Sequence, residues 1–156
     1  FGDSQHECTC TPPQIQRYMA RVSGPLLDRI DLHIEVPSVP YKELTDQLAG
    51  DTSETIRNRV NETRQRLLRR FKDDTHLFSN AHMESREIRQ YCQVDNQSHE
   101  LLRTAIAKLG LSARAYDRIL KVSRTIADMA GEEGIQAAHV SEAIQYRALD
   151  RAMWMG

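Results

Sequence analysis

Four groups of residues have the types and spacing to do chemistry. In SGPLLDRIDLHIEVP (23–37), one arginine, Arg29, stands between Asp28 and Asp31. A guanidinium is always charged, and its planar fork fits a phosphate or a carboxylate. In GLSARAYDRIL (110–120), Arg114 falls just after a small-residue loop, in the first turn of an expected helix. A helix N-terminus attracts anions through its unpaired N–H groups and its dipole, so an arginine there suits a phosphate; an ordinary surface arginine is the even alternative. Between Arg57 and Lys72, seven basic residues (Arg57, Arg59, Arg64, Arg66, Arg69, Arg70, Lys72) meet one acid, Glu62. That face could contact nucleic-acid phosphates with salt-dependent affinity. It could equally be a solvated face with acidic partners on neighbouring elements, and the lack of interleaved aromatic residues favours this second reading. Finally, His6-Glu7-Cys8-Thr9-Cys10 offers two cysteines and a histidine. A structural zinc site takes four N or S ligands, so Cys8 and Cys10 are half a set, or else two free thiols in a tail.

Other polar residues read as structure. Arg147 follows Val140 and Ile144 at helical spacing, so its stem faces inward and an ion pair is expected. Arg118 lies on the same side of its helix as Arg114 and reads as the partner of an acid. Cys92, with Ile88 and Tyr91 at helical spacing, reads as a small buried hydrophobe. There is no G-x-x-x-x-G-K-[ST] phosphate loop, no G-x-S-x-G and no H-E-x-x-H, and the six histidines are scattered. The chain holds no complete active site of its own.

The elements that must position these groups are mostly helices. Pro13 opens a short helix over 13–22, and Gly24-Pro25 starts another turn, with Leu26 and Leu27 inward. The period then changes to two. A strand is expected over 31–36, with Leu32, Ile34 and Val36 on one side, ended by Pro37. A brief helix is expected near Lys42–Leu48. A long helix over 53–71, with Asp51 and Glu54 at capping-box spacing, carries the stripe Ile56, Val60, Thr63, Leu67, Leu68 and Phe71. A loop with Leu77 and Phe78 as apolar anchors leads into helices at about 84–92, 97–109, 112–130 and 136–151. Gly110 caps the second of these; Ser112 and Gly131 bound the third. Ala148 is expected inward on the last.

The 156 residues are 40% hydrophobic and 28% charged with a net charge of −1, a composition that buries a core and has no global pull toward nucleic acid or membrane. No apolar run is long enough to span a bilayer, and three cysteines fit a reducing, cytoplasmic compartment better than a disulfide framework. The chain begins with phenylalanine, and its lone expected strand lacks obvious sheet partners, so it reads as a piece of a longer protein.

SGPLLDRIDLHIEVP, NAHMESREIRQYC, KLGLSARAYDRILKVSRTIADMAG and IQAAHVSEAIQYRALDR together resemble the C-terminal part of the magnesium-chelatase-like AAA+ ATPases of the ComM/YifB type. The resemblance covers nearly the whole chain, and 38–75 is its least distinctive part. Magnesium chelatase subunits proper carry a similar LLDR but differ after it and lack a cysteine cluster, so IDLHIEVP and CTC favour the ComM/YifB branch. The fold this implies is mainly α. Residues 1–37 would be the end of an ATPase core, 38–75 a connecting segment with the basic helix, and 76–152 a helical lid.

By the same resemblance, Arg29 would be an arginine finger presented to ATP on a neighbouring protomer, with Asp28 and Asp31 fixing its approach. Arg114 would be the sensor-2 residue on the γ-phosphate. The family's C-P-C-G motif would complete a zinc site with Cys8 and Cys10. The phosphate-binding loop, acidic metal motif and sensor-1 asparagine of the family are absent from this chain, which alone should be inactive. The intact protein would use ATP and Mg2+, form a homo-oligomer, expected to be a hexamer, and remodel DNA as in branch migration. Arg57, Arg64, Arg66, Arg69 and Arg70 would be its candidate nucleic-acid contacts. A magnesium chelatase ATPase subunit is the alternative, and a stand-alone helical nucleic-acid-binding module a second one.

Overall fold

The computed structural model describes residues 7–34, 36, 38–39 and 50–147. Helix α1 (Pro12–Met19) begins behind Thr11, which with Gln14 forms a capping box. Helix α2 (Gly24–Leu27) is one turn, begun by Pro25. Helix α3 (Ser53–Arg70) follows, then a 3-10 turn (Asn80–His82), α4 (Ser85–Tyr91), α5 (Asn96–Leu109), α6 (Ala113–Ala130) and α7 (Ala137–Gln145). The expected short helix at 42–48, and the last helix beyond 147 with Ala148, lie outside the described residues.

Helix α6 is the centre of the molecule. It packs against α7, α3, α4 and the 3-10 turn, and α5 packs against α7. Small residues on the packed faces, Ala105, Ala115, Ala127 and Ala143, let the helices approach closely, and Leu102, Ile119, Leu120 and Val140 fill the space between them. The helix ends follow local chemistry. Asp95 accepts the Ser98 N–H at 2.8 Å to start α5, and Ser112 accepts the Ala115 N–H at 3.2 Å to start α6. Gly110 (φ 63°) and Gly131 (φ 84°) end α5 and α6 in the left-handed conformation that glycine adopts without a Cβ penalty.

Five expectations are corrected. No strand forms over 31–36 among the described residues. The alternation is real but turned the other way: His33 is buried, and its N–H donates to the Tyr146 carbonyl at 2.8 Å. Leu32, Ile34 and Val36 face solvent instead. An apolar face on an extended segment needs a sheet to cover it, and the described residues supply none.

The stripe on α3 splits for a similar reason. Leu67, Phe71 and Thr63 are buried, while Ile56 and Val60 are exposed because the core reaches only the C-terminal part of the helix; Leu68, within that part, faces outward. The α3 cap is Thr52, whose hydroxyl accepts the Thr55 N–H at 3.1 Å, and Asp51 pairs with Arg59 instead. Phe78 is no anchor. It lies exposed, edge-on to His82, while Leu77 is half-buried against the core and Asn80 and Met83 are buried. Leu26 is likewise exposed, leaving Leu27 as the inward residue of α2.

Candidate functional site

The turn that carries Arg29 is built from α2 outward. The N–H groups of Asp28, Arg29 and Ile30 bond back to Gly24, Leu26 and Leu27 at 2.9, 3.0 and 3.0 Å, so the chain keeps turning past the end of the helix. Arg29 is exposed on that turn, and its Nη1 donates to the Pro25 carbonyl at 2.7 Å. One of its five N–H donors is used in that bond.

Asp28 and Asp31 do not bond the Arg29 side chain among the described residues; each reaches another helix. Asp31 pairs with Arg118 on α6, and Asp28 Oδ1 lies 3.8 Å from Arg147 Nη2 just past α7. Arg147 is buried to 1% exposure and donates Nη1 to the carbonyl of Ile30 and, at 3.5 Å, to that of Leu27. The expected acid for Arg118 and ion pair for Arg147 are therefore both present, and both tie the Arg29 turn to the helical unit.

Arg114 is exposed at the second position of α6, behind the Ser112 cap. Its side chain makes no hydrogen bond or ion pair among the described residues. Arg118 lies one turn further along the same face. Between α2 and the loop from α5 to α6 runs a cleft of about 510 Å³. Its walls include Gly24, Pro25, Leu27 and Asp28 on one side and Gly110, Leu111 and Ser112 on the other. Arg29 and Arg114 are not in its wall; Arg29 directly follows Asp28 and Arg114 lies two residues past Ser112. The arrangement offers two exposed, permanently cationic forks on elements fixed to one core, which can bind and stabilise anionic oxygen.

The basic helix divides into different environments. Arg57, Arg64 and Arg69 are exposed, and Arg59 is paired with Asp51 at 3.3 Å. Arg66 is half-buried beside Gly131. Arg70 is not a surface contact. Its guanidinium makes a two-pronged pair with buried Asp128, one prong at 2.6 Å, and donates to Asn80 Oδ1 at 3.1 Å. Asp128 also takes Arg124 at 3.1 Å, and Arg124 donates to the Glu132 and Glu133 carbonyls at 2.7 and 2.6 Å. This buried cluster was not expected. Its signal is that Arg124 and Asp128 continue the Leu120 stripe of α6 at i+4 spacing.

Cys8 and Cys10 are exposed. A hydrogen bond from the Cys10 backbone N–H, and then one between the two side chains, holds the Cys8 thiol below its ordinary range, and that side-chain bond together with the Cys8 charge pushes the Cys10 thiol above its own. Among the described residues no three His, Cys, Asp or Glu side chains gather as a metal-binding group, so neither zinc nor Mg2+ finds a complete ligand set there. Cys92 is buried, as its helical spacing implied. No helix among the described residues is long and apolar enough to cross a membrane.

Residues 50–147 match the family model described as magnesium chelatase, subunit ChlI C-terminal, and residues 1–44 match the model described as magnesium chelatase, subunit ChlI. The chain is 43% identical over 145 residues to the uncharacterized protein YifB of Escherichia coli K12, covering 92% of this chain and 28% of that protein. It is 44% identical over 144 residues to the competence protein ComM of Haemophilus influenzae, covering 92% of this chain and 27% of that protein. An uncharacterized protein of Mycobacterium bovis is 30% identical over 142 residues, covering 90% of this chain and 28% of its own length. The chain thus spans less than a third of the length of these relatives.

Proposed function

The chain belongs to the magnesium chelatase subunit ChlI family, and on that premise we propose that it is the lid-and-rim portion of a ring-forming AAA+ ATPase of the YifB and ComM type. Arg29 is the finger offered to ATP on a neighbouring protomer, and Arg114 is the sensor-2 contact to the γ-phosphate. The observation that carries this reading is the exposure of both guanidinium groups on residues that follow closely on the two walls of one cleft. An arginine finger stabilises the charge that develops on a transferring phosphoryl group and is worth about 10³–10⁵ in rate.

Residues 1–37 are read as the rim of the core, 38–75 as the connection and 76–152 as the lid, although Leu67 and Phe71 of α3 share the lid's core. Mg2+ and a zinc ion are assigned to the intact protein. Cys8 and Cys10 would supply two of the four zinc ligands, and no step here is routed through either metal. The ring is read as a cytoplasmic homo-hexamer.

The competence name of one relative and the exposed Arg57, Arg64 and Arg69 support coupling of hydrolysis to DNA remodelling such as branch migration. Half-buried Arg66 stands at the edge of that face, and Arg70 is withdrawn from it by Asp128. The family description favours a second reading, an ATPase subunit that acts on a metal-inserting partner protein.

The test is ATP turnover by the full-length protein with branched DNA or with such a partner, in wild type and in Arg29→Ala. Stimulation by DNA supports the first reading, and stimulation by the partner alone supports the second. Arg29→Ala is expected to cut turnover at least about 10³-fold and leave nucleotide affinity within about twofold. Lost affinity with intact turnover per bound ATP would overturn the finger role.

A further inference from the structure

The residues around Arg29 are held from one side. Arg147 grips the backbone on both flanks of the arginine: the Leu27 carbonyl two residues before it and the Ile30 carbonyl directly after it. The same guanidinium faces Asp28 at 3.8 Å. Arg118 holds Asp31, and the His33 N–H donates to the Tyr146 carbonyl at 2.8 Å. Every one of these anchors sits on α6 or at the end of α7. Arg118 also stands one helical turn from Arg114 on the same face of α6.

We infer that Arg118 and Arg147 are positioning residues for Arg29, clamping its turn to α6 and α7 so that a displacement of the α6 N-terminus at Arg114 is carried to Arg29. This rests on the finger reading of Arg29. The Asp31–Arg118 pair is the informative part. Its side chains are 42% and 28% exposed, and a pair that exposed contributes little to stability. Yet it joins the Arg29 turn to the helix that bears Arg114. Geometry is its product: displacing a catalytic group by about 1 Å costs on the order of 10²-fold in rate.

The clamp is tested in the full-length protein by ATP turnover of Asp31→Asn, Arg118→Gln and the charge exchange Asp31→Arg with Arg118→Asp. Each single variant is expected to lower kcat by at least about tenfold with KM for ATP within about twofold, and the exchange to restore most of the loss. Arg147→Met removes the buried grip but risks the fold, so the half-exposed pair decides. Unchanged kcat in both single variants overturns the clamp. A fall in kcat that the exchange does not recover, or a rise in KM without one, also overturns it, because the pair would then be serving something other than the position of Arg29. Arg29→Ala run beside them separates the two proposals. If it is inactive while the single variants are unaffected, the clamp alone is wrong; if it turns over like wild type, the finger reading falls and the clamp falls with it.

Discussion

Cys92 and Cys8 bear the same thiol in opposite settings. Burial pushes Cys92 from 9.0 to about 11, and the nearby Arg124 and Arg70 charges offset only part of that. Cys8 is exposed and held low by the Cys10 N–H. The consequence for stability has a definite sign. Above pH 9.0 the unfolded chain loses a thiol proton that the folded chain keeps up to about 11. Stability from this group is therefore complete below that window and falls across it as pH rises, by about 1.4 kcal/mol per pH unit. Cys92→Ala is expected to remove that part of the alkaline slope, measured by denaturant unfolding of both proteins at pH 8 and pH 10.5. Identical slopes would show that the buried thiol plays no part.

At the scale of elements, α3 is joined to α6 by charge as much as by Leu67 and Phe71. Asp128 is 2% exposed and neutralises Arg70 from α3 and Arg124 from α6, and Asn80 donates to it at 2.9 Å from the 3-10 turn. Burial already depresses the Arg124 pKa, so that guanidinium needs its acid. Removing one partner of such a buried group strands the others. Asp128→Ala is therefore expected to cost about 3–5 kcal/mol in denaturant unfolding, and a loss within measurement error would show that the arginines find water instead. This cluster marks where reading the sequence stopped. Ends of helices were legible, since Ser112, Gly110 and Gly131 act through bonds a few residues away. Faces were legible only as patterns. Period told that Leu32, Ile34 and Val36 share a side, and that Ile56 and Val60 continue the Leu67 stripe. It could not tell whether a partner covers that side, which depends on elements far away in the chain. Arg29 stands exposed just past the turn begun by Pro25 and Arg114 exposed in the first turn behind the Ser112 cap, positions that local chemistry fixes. The partners of Asp28 and Asp31 were not legible, because these acids reach Arg147 and Arg118, over eighty residues away, instead of Arg29. The roles of Arg29 and Arg114 rest on resemblance.

For the whole molecule, the proposal requires Arg29 to serve a nucleotide bound by a different protomer, and a closed ring is the symmetry that gives every protomer such a neighbour. This separates it from any role within one protomer. Full-length Arg29→Ala subunits retain their own nucleotide site but offer no finger. Subunits crippled for nucleotide binding by substitution of their phosphate-loop lysine keep the finger but have nothing of their own to hydrolyse. Rings of either alone are expected to be inactive. Mixed in equal amounts, about a quarter of the interfaces pair an intact site with an intact finger. Turnover should then reappear, and it should rise and fall with the mixing ratio through a maximum near equal amounts. The readout is steady-state phosphate release across the ratio series, with size measurements showing that mixed rings form. If mixed rings assemble and stay silent at every ratio, Arg29 acts within its own protomer or not at all, and the exposure of its turn would then need a different explanation. Arg114→Ala subunits put through the same series would show which protomer its guanidinium addresses, since only a residue reaching across the interface is complemented by the lysine variant.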